Sequence, residues 1–219
     1  MLWKERDTII FDGAGVVIDS EAIWDAGQAE FLRRRGLPYD RDRLKPLLAG
    51  RSLREGAAIM QAELGFRGDV SLLAAERVAI VREVFRRDAD FVPGFREFFA
   101  KIRPRFKTCL ATMMPKELLD PVVEKLHLTA LFGGHIYSPD PHDLPGKPAP
   151  DLFLFAAGRL GSVAARCVVI EDSPNGIEAA KRAHMFAIGI ATTFTRDRLA
   201  AADLVVDAFA AIPLPEPMD

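Results

Sequence analysis

The stretch TIIFDGAGVVIDSE (Thr8–Glu21) opens with four residues typical of a buried strand and continues into an Asp-Gly turn signal. Five further short apolar runs follow along the chain: Thr108–Ala111, His135–Tyr137, Cys167–Ile170, Phe186–Ile190 and Leu204–Val206. Segments with helical period separate most of them: Pro115–Leu126, Asp151–Leu160 and Asn175–Ala183. Strands that alternate with helices predict an α/β fold, with a parallel sheet covered by helices on both faces.

The region between the first two strands departs from this alternation. Three amphipathic segments, Glu21–Arg35, Leu53–Leu64 and Ser71–Arg87, predict an all-helical block. This block is too long for a single connection, and the turn signal Val92-Pro93-Gly94 marks its end. We therefore predict an α/β core of residues 1–17 and 91–219 and an inserted helical cap domain of residues 18–90.

Composition narrows the class of protein. The chain has 219 residues and a formal net charge of -2, which gives no electrostatic reason to expect nucleic acid or an anionic membrane as partner. We expect no secretory leader, because the segment MLWKERDTII lacks the apolar region of one, and no apolar run of the sequence is long enough to span a bilayer. Cys109 and Cys167 each lie in an apolar run, so we expect buried free thiols, which suit the reducing cytoplasm. We expect a monomer or a dimer.

Polar residues follow the first four predicted strands. They are Asp12, Thr112, Lys147 and the pair Glu171-Asp172. In an open α/β sheet, ligands bind outside the carboxyl ends of the strands. Three carboxylates gathered there imply a hard cation such as Mg²⁺, while a hydroxyl and an ammonium supply donors for phosphate oxygens. The strand ends therefore predict a phosphoryl-transfer site.

The same positions carry a family resemblance. The stretch Phe11–Glu21 resembles the motif F-D-x-D-G-x-x-x-D-S-E, and three later segments resemble the motifs that follow it: Leu110-Ala111-Thr112, Gly146–Asp151 and Val169–Gly176. Four motifs in order, over nearly the whole chain, are typical of the haloacid-dehalogenase-like (HAD) hydrolase superfamily. The helical insertion resembles the cap of its phosphatase and phosphoglucomutase branch. The resemblance implies a Rossmann-like core.

The resemblance also implies a role for each residue. Asp12 would attack phosphorus and form an aspartyl-phosphate. Asp12, Glu171, Asp172 and the main-chain carbonyl of Ala14 would hold Mg²⁺, while Thr112 and Lys147 would grip the transferring group. The substrate would be a small phosphorylated metabolite, with a sugar phosphate favoured.

Ala14 is a departure from the motif. Most phosphatases of this family carry a second Asp there, which protonates the leaving group and later activates water. A methyl group can do neither, and general acid–base catalysis contributes about 10²–10⁴-fold. The metal site keeps its ligand, because the backbone carbonyl is unchanged. We therefore expect binding of metal and phosphorylated ligand, with slow turnover.

Three explanations of Ala14 stay open. It could be an introduced substitution, or the protein could be a natural low-activity or non-catalytic relative that binds phosphometabolites. Alternatively, the phosphonoacetaldehyde hydrolase branch carries Ala at this place and uses a cap lysine as a Schiff base, a role that Lys45 could fill. The segments Gly146-Lys147-Pro148 and Glu171–Pro174 favour the phosphatase branch over the phosphonate branch. A dehalogenase is disfavoured, because that branch does not need the metal carboxylates and both Glu171 and Asp172 are present.

Substrate contacts are expected from the cap and from the residue after Thr112. Arg51, Ser52 and Arg54 follow the first helical region of the cap, where an arginine would suit an anionic substrate. Met113 stands where relatives often carry Asn, so it either shapes a less polar pocket or packs at a helix entry.

Simpler interpretations exist for each residue alone. Asp12 could be a turn residue, Thr112 a helix cap and Lys147 a surface side chain. Their shared position at strand ends argues against all of these together. Gly13-Ala14-Gly15 does not continue as a dinucleotide-binding fingerprint, since position 18 is Ile.

Overall fold

The computed structural model describes residues 2–48, 53–139 and 144–215. Its α/β part is a parallel sheet of six described strands in the order β3-β2-β1-β4-β5-β6. The strands are β1 (Thr8–Phe11), β2 (Lys107–Ala111), β3 (Ile136–Tyr137), β4 (Cys167–Glu171), β5 (Phe186–Ile190) and β6 (Leu204–Val206). The predicted strands and the parallel sheet are confirmed.

The described α-helices are α1 (Glu21–Arg33), α2 (Arg41–Leu48), α3 (Leu53–Leu64), α4 (Val70–Asp88), α5 (Phe95–Ile102), α6 (Lys116–Lys125), α7 (Leu128–Phe132), α8 (Asp151–Arg159) and α9 (Pro174–Arg182). Short 3-10 helices occupy Ala164–Arg166, Arg196–Leu199 and Phe209–Ala211. None of the helices in these ranges combines the length and the apolar character that crossing a membrane requires.

The sheet is buried on both faces, as predicted. Successive side chains of a strand point to opposite faces, and the centre of β1 shows both environments. Phe11 packs on Phe95 of α5, with ring centroids 5.5 Å apart, and on Phe132 of α7. Ile10 belongs to the opposite cluster with Phe153 of α8 and Ile177 of α9. Both thiols, Cys109 and Cys167, are free and buried, as expected.

The chain divides into two compact units, Met1–Asp19 with Asp90–Asp219 and Ser20–Ala89. In the first unit, the chain leaves after Asp19 and returns at Asp90, and the two segments beside these points pair with each other. Ile18 forms an antiparallel bridge with Phe91, and the Val92 amide donates to the Val17 carbonyl at 3.1 Å. The second unit contains α1 to α4. Its role as a cap stays a prediction.

The helical unit is stabilised by its own polar contacts. Asp69 caps α4 by accepting hydrogen bonds from the Ser71 and Leu72 amides at 2.9 and 3.1 Å. Helix α1 ends two residues earlier than predicted, because Gly36 turns the chain at φ +68° and the Leu37 amide returns to the Leu32 carbonyl.

Candidate active site

Buried polar side chains meet at the carboxyl edge of the sheet. Asp12 follows β1, Thr112 follows β2, Glu171 ends β4 and Asp172 comes next. Only 6%, 1%, 1% and 5% of these residues is exposed, respectively. The three carboxyl groups each offer an oxygen atom, and these atoms lie within 4.8 Å of one another. Such closeness between buried carboxylates is unfavourable without a compensating positive charge.

Lys147 supplies part of that charge. Its ammonium donates hydrogen bonds to Asp12 and, at 2.5 Å, to Oε1 of Glu171. The side chain is 6% exposed, and its nitrogen lies 4.8 Å from the ring centroid of Phe153. One ammonium among three carboxylates leaves the cluster short of positive charge whenever all three are ionised.

The carboxylate of Glu171 has a full set of partners. Its Oε2 accepts hydrogen bonds from the Asp172 amide at 2.9 Å, the Ser173 amide at 2.8 Å and the Ser173 hydroxyl at 2.9 Å. Helix α9 also lies close, because a Cβ at Gly176 would overlap this carboxyl group. Glu171 is therefore fixed in orientation, with one oxygen bound by the backbone and the other by Lys147.

Burial dominates the electrostatics of the cluster. Loss of solvation raises the pKa of Asp12 to about 7, although the Lys147 charge pulls it down. Burial, together with the charges of Glu171 and Asp12, raises the pKa of Asp172 well above its ordinary value. Burial opposes the charge of Lys147, but Asp12 and Glu171 outweigh it, so the pKa of Lys147 is raised. The donor set of hard oxygens and its unbalanced charge fit a divalent metal ion.

The turn after Asp12 is tightly packed. Gly13 accepts hydrogen bonds from the Val17 and Ile18 amides at 2.9 Å each, and a Cβ at Gly13 would lie 2.5 Å from the Thr112 hydroxyl. Gly15 has a φ of +80°, which favours glycine. Ala14 lies between them, half-buried, and its methyl group offers no proton donor or acceptor.

The candidate substrate residues have different surroundings. Met113 is 39% exposed, and its Cε lies 3.1 Å from where a Cβ on Gly146 would stand. Lys45 belongs to the helical unit, where it forms an ion pair with Glu21 and lies 3.7 Å from Asp25. Arg51 and Ser52 lie outside the described residues.

Three hydroxyl residues beside the cluster were missed by the sequence analysis. They are Ser173, whose hydroxyl also accepts from the Gly176 amide at 3.1 Å, and Thr192 and Thr193, which follow β5. Strand β5 was predicted, and a polar residue after its carboxyl end is the same signal that indicated Asp12 and Thr112 after β1 and β2.

Sequence relatives with the same fold identify this chain as an enzyme of phosphatase type. The sequence model of the haloacid dehalogenase-like hydrolases matches residues 6–184, and the chain belongs to this family. A validoxylamine A 7'-phosphate phosphatase from Streptomyces hygroscopicus subsp. limoneus is 31% identical over 199 residues, which cover 90% of this chain and 91% of the relative. A phosphorylated carbohydrates phosphatase from Thermotoga maritima is 29% identical over 178 residues, 81% of each chain.

A solved structure shows the same similarity. The crystal structure of a HAD family hydrolase from Deinococcus radiodurans R1, with bound phosphate and sodium, superposes with a TM-score of 0.78 at 26% identity. The superposition covers 94% of this chain and 93% of that one. These relatives agree with the phosphatase branch that the motifs indicate.

Proposed function

We propose that this protein is a magnesium-dependent phosphatase that acts on small phosphorylated metabolites and uses Asp12 as its nucleophile. Sugar phosphates are the favoured substrates. The observation that carries the proposal is the buried cluster in which Asp12, Glu171 and Asp172 come within 4.8 Å of one another, with Lys147 beside them. The substrates named for two relatives, phosphorylated carbohydrates and validoxylamine A 7'-phosphate, support the substrate class.

Each residue has a distinct part in the proposed reaction. A carboxylate oxygen of Asp12 attacks phosphorus, so that a bond to Asp12 forms while the bond from phosphorus to the leaving oxygen breaks. Lys147 and the Thr112 hydroxyl hold the phosphoryl oxygens and stabilise their charge. Water then attacks the aspartyl-phosphate and releases phosphate, which returns Asp12 to its carboxylate form.

The same residues would hold the metal ion. Asp12, Asp172, Glu171 and the carbonyl of Ala14 are the proposed ligands, and bound Mg²⁺ would offset the negative charge of the phosphoryl group. Both oxygens of Glu171 already accept hydrogen bonds, from Lys147 and from the neighbouring amides, whereas Lys147 contacts Asp12 through a single oxygen, Oδ1. Asp12 and Asp172 are therefore the side chains that we expect to bind the ion directly.

Ala14 limits the proposed reaction at both steps. The leaving oxygen receives no proton from position 14, and the attacking water loses none to it. We expect turnover to be about 10²–10⁴-fold slower than with a carboxylate at this place. We also place the enzyme in the cytoplasm, on the basis of its two buried free thiols.

The alternative of phosphonate cleavage gains no support from Lys45. A Schiff base needs a free amine, whereas the Lys45 nitrogen forms an ion pair with Glu21 and lies 3.7 Å from Asp25. A non-catalytic protein that binds phosphometabolites is the other alternative. Measuring phosphate release distinguishes it from a phosphatase.

The test is phosphate release from a panel of metabolite phosphates in the presence of Mg²⁺. We expect Ala14→Asp to raise the rate by at least about 10-fold. Ala14→Asn, which has nearly the same shape but no acid, should give no gain. Adding Asp12→Asn to Ala14→Asp should abolish the activity. Equal rates for wild type, Ala14→Asn and Ala14→Asp would contradict the missing-acid explanation.

A further inference from the structure

The segment after β5 reaches the same sheet edge as the carboxylate cluster. Strand β5 pairs with β4, and Ala191, Thr192 and Thr193 follow its last residue. Thr192 Oγ1 donates a hydrogen bond to the Gly15 carbonyl at 2.5 Å. The backbone of this segment is itself held, since the Thr192 amide donates to the Ile190 carbonyl at 2.9 Å. The Thr192 hydroxyl thus ties the end of β5 to the turn after Asp12.

Thr193 acts on the neighbouring carboxylate. Its hydroxyl lies beside the Asp172 carboxyl group, where it can serve that group as a hydrogen-bond donor. The side chains of Asp172 and Thr193 both pack closely against Gly15. A Cβ at Gly15 would overlap Asp172 Oδ2 and would lie 2.7 Å from Thr193 Oγ1. The loops after β1, β4 and β5 therefore converge at Gly15.

We propose that Thr192 and Thr193 are positioning residues of the metal site. Thr192 fixes the Gly15 carbonyl and, through it, the adjacent peptide that carries the Ala14 carbonyl. Thr193 fixes the orientation of the Asp172 carboxylate. This inference rests on the proposed function, because it assigns the two hydroxyls to ligands of the proposed magnesium ion. Partners of this kind hold metal ligands in place before the ion arrives.

The hydroxyl of each threonine, rather than the volume of its side chain, positions the metal ligands. Thr192 is exposed and Thr193 is half-buried, so neither fills the core. Valine has the shape of threonine without the donor, and serine keeps the donor. Thr195 provides a matched control: it is exposed in the same segment and makes no capping hydrogen bond with its side chain.

The experiment compares Mg²⁺ affinity, measured by titration calorimetry, with melting temperature in chelator. We expect Thr192→Val and Thr193→Val each to weaken Mg²⁺ binding by about 10–100-fold. Thr192→Ser and Thr193→Ser should bind as the wild type does, and so should Thr195→Val. The melting temperatures of the metal-free proteins should change little.

Three results would overturn the inference alone. The first is a wild-type protein that binds Mg²⁺ while the valine variants bind it equally well. The second is serine variants that bind as weakly as the valine variants. The third is losses of affinity that only follow losses of metal-free stability. A wild-type protein that binds no Mg²⁺ would overturn the proposed metal site together with this inference.

Discussion

Lys147 and Asp12 form an ion pair whose side chains are only 6% and 8% exposed. Glu171 shares the same ammonium and is 1% exposed. A buried ion pair is weak evidence for stability, but removing one partner leaves an uncompensated charge in a poorly solvating place. Lys147 therefore has a structural task in the metal-free protein, besides its proposed contact with the phosphoryl group.

Replacing Lys147 with Met should destabilise the metal-free protein by about 3–5 kcal/mol at alkaline pH, because Asp12 and Glu171 lose their only strong positive neighbour in the described cluster. The loss should shrink in mild acid, where Asp12, whose pKa burial raises to about 7, takes up a proton. Denaturant unfolding in chelator measures both values. Lys116→Met is the matched control: its pair with Asp120 is 62% and 56% exposed, so the change should be below about 1 kcal/mol. Similar losses for both variants would contradict the role given to Lys147.

The stabilisation by Mg²⁺ should grow as pH rises. Burial raises the pKa of Asp12 to about 7 and also raises that of Asp172, so the folded, metal-free protein keeps protons that the unfolded chain releases. The contribution of these two carboxyl groups to the free energy of unfolding of the metal-free protein therefore falls as pH rises from about 4 through about 7. Metal binding needs the unprotonated carboxylates. The increase in melting temperature on adding Mg²⁺ should be larger near pH 8 than near pH 6, and an increase independent of pH would contradict this account.

Two helical glycines should respond to alanine in opposite directions. A Cβ at Gly176 in α9 would overlap the Glu171 carboxyl group, so Gly176→Ala should destabilise the fold and weaken Mg²⁺ binding. Exposed Gly158 in α8 has nothing within 4 Å of such a Cβ, and Gly158→Ala should stabilise the protein by up to about 1 kcal/mol. Thermal unfolding and Mg²⁺ titration of both variants provide the comparison. A Gly176→Ala protein that matches or exceeds the wild type in both would show that α9 and Glu171 are not closely packed.

The strands could be predicted because parallel strands are buried on both faces and therefore form short, nearly continuous apolar runs. Three helices were missed. Helix α2 (Arg41–Leu48) is rich in charge and contains Pro46, and α7 (Leu128–Phe132) is only five residues long. Helix α5 did carry a helical signal, since Phe95, Phe98, Phe99 and Ile102 recur at the spacing of one buried face.

The candidate site was predictable where position along a strand decides the location. Asp12, Thr112, Glu171 and Asp172 all lie at strand ends, and topology alone brings such positions to one edge. The partners of these residues depend on side-chain directions instead. The Lys45–Glu21 ion pair and the Thr192–Gly15 hydrogen bond join residues 24 and 177 positions apart, and no local pattern in the sequence marks either of them.

The central claim, that Asp12 accepts a phosphoryl group which Ala14 cannot help to release, is tested most directly by the intact mass of the protein. p-Nitrophenyl phosphate suits this test, because its leaving group departs without an acid. After incubation with this compound and Mg²⁺, the wild-type mass should rise by one phosphoryl group. Asp12→Asn should stay unmodified, and Ala14→Asp should accumulate less of the adduct. A wild-type protein that stays unmodified, or an Asp12→Asn protein that gains the same mass, would contradict the claim.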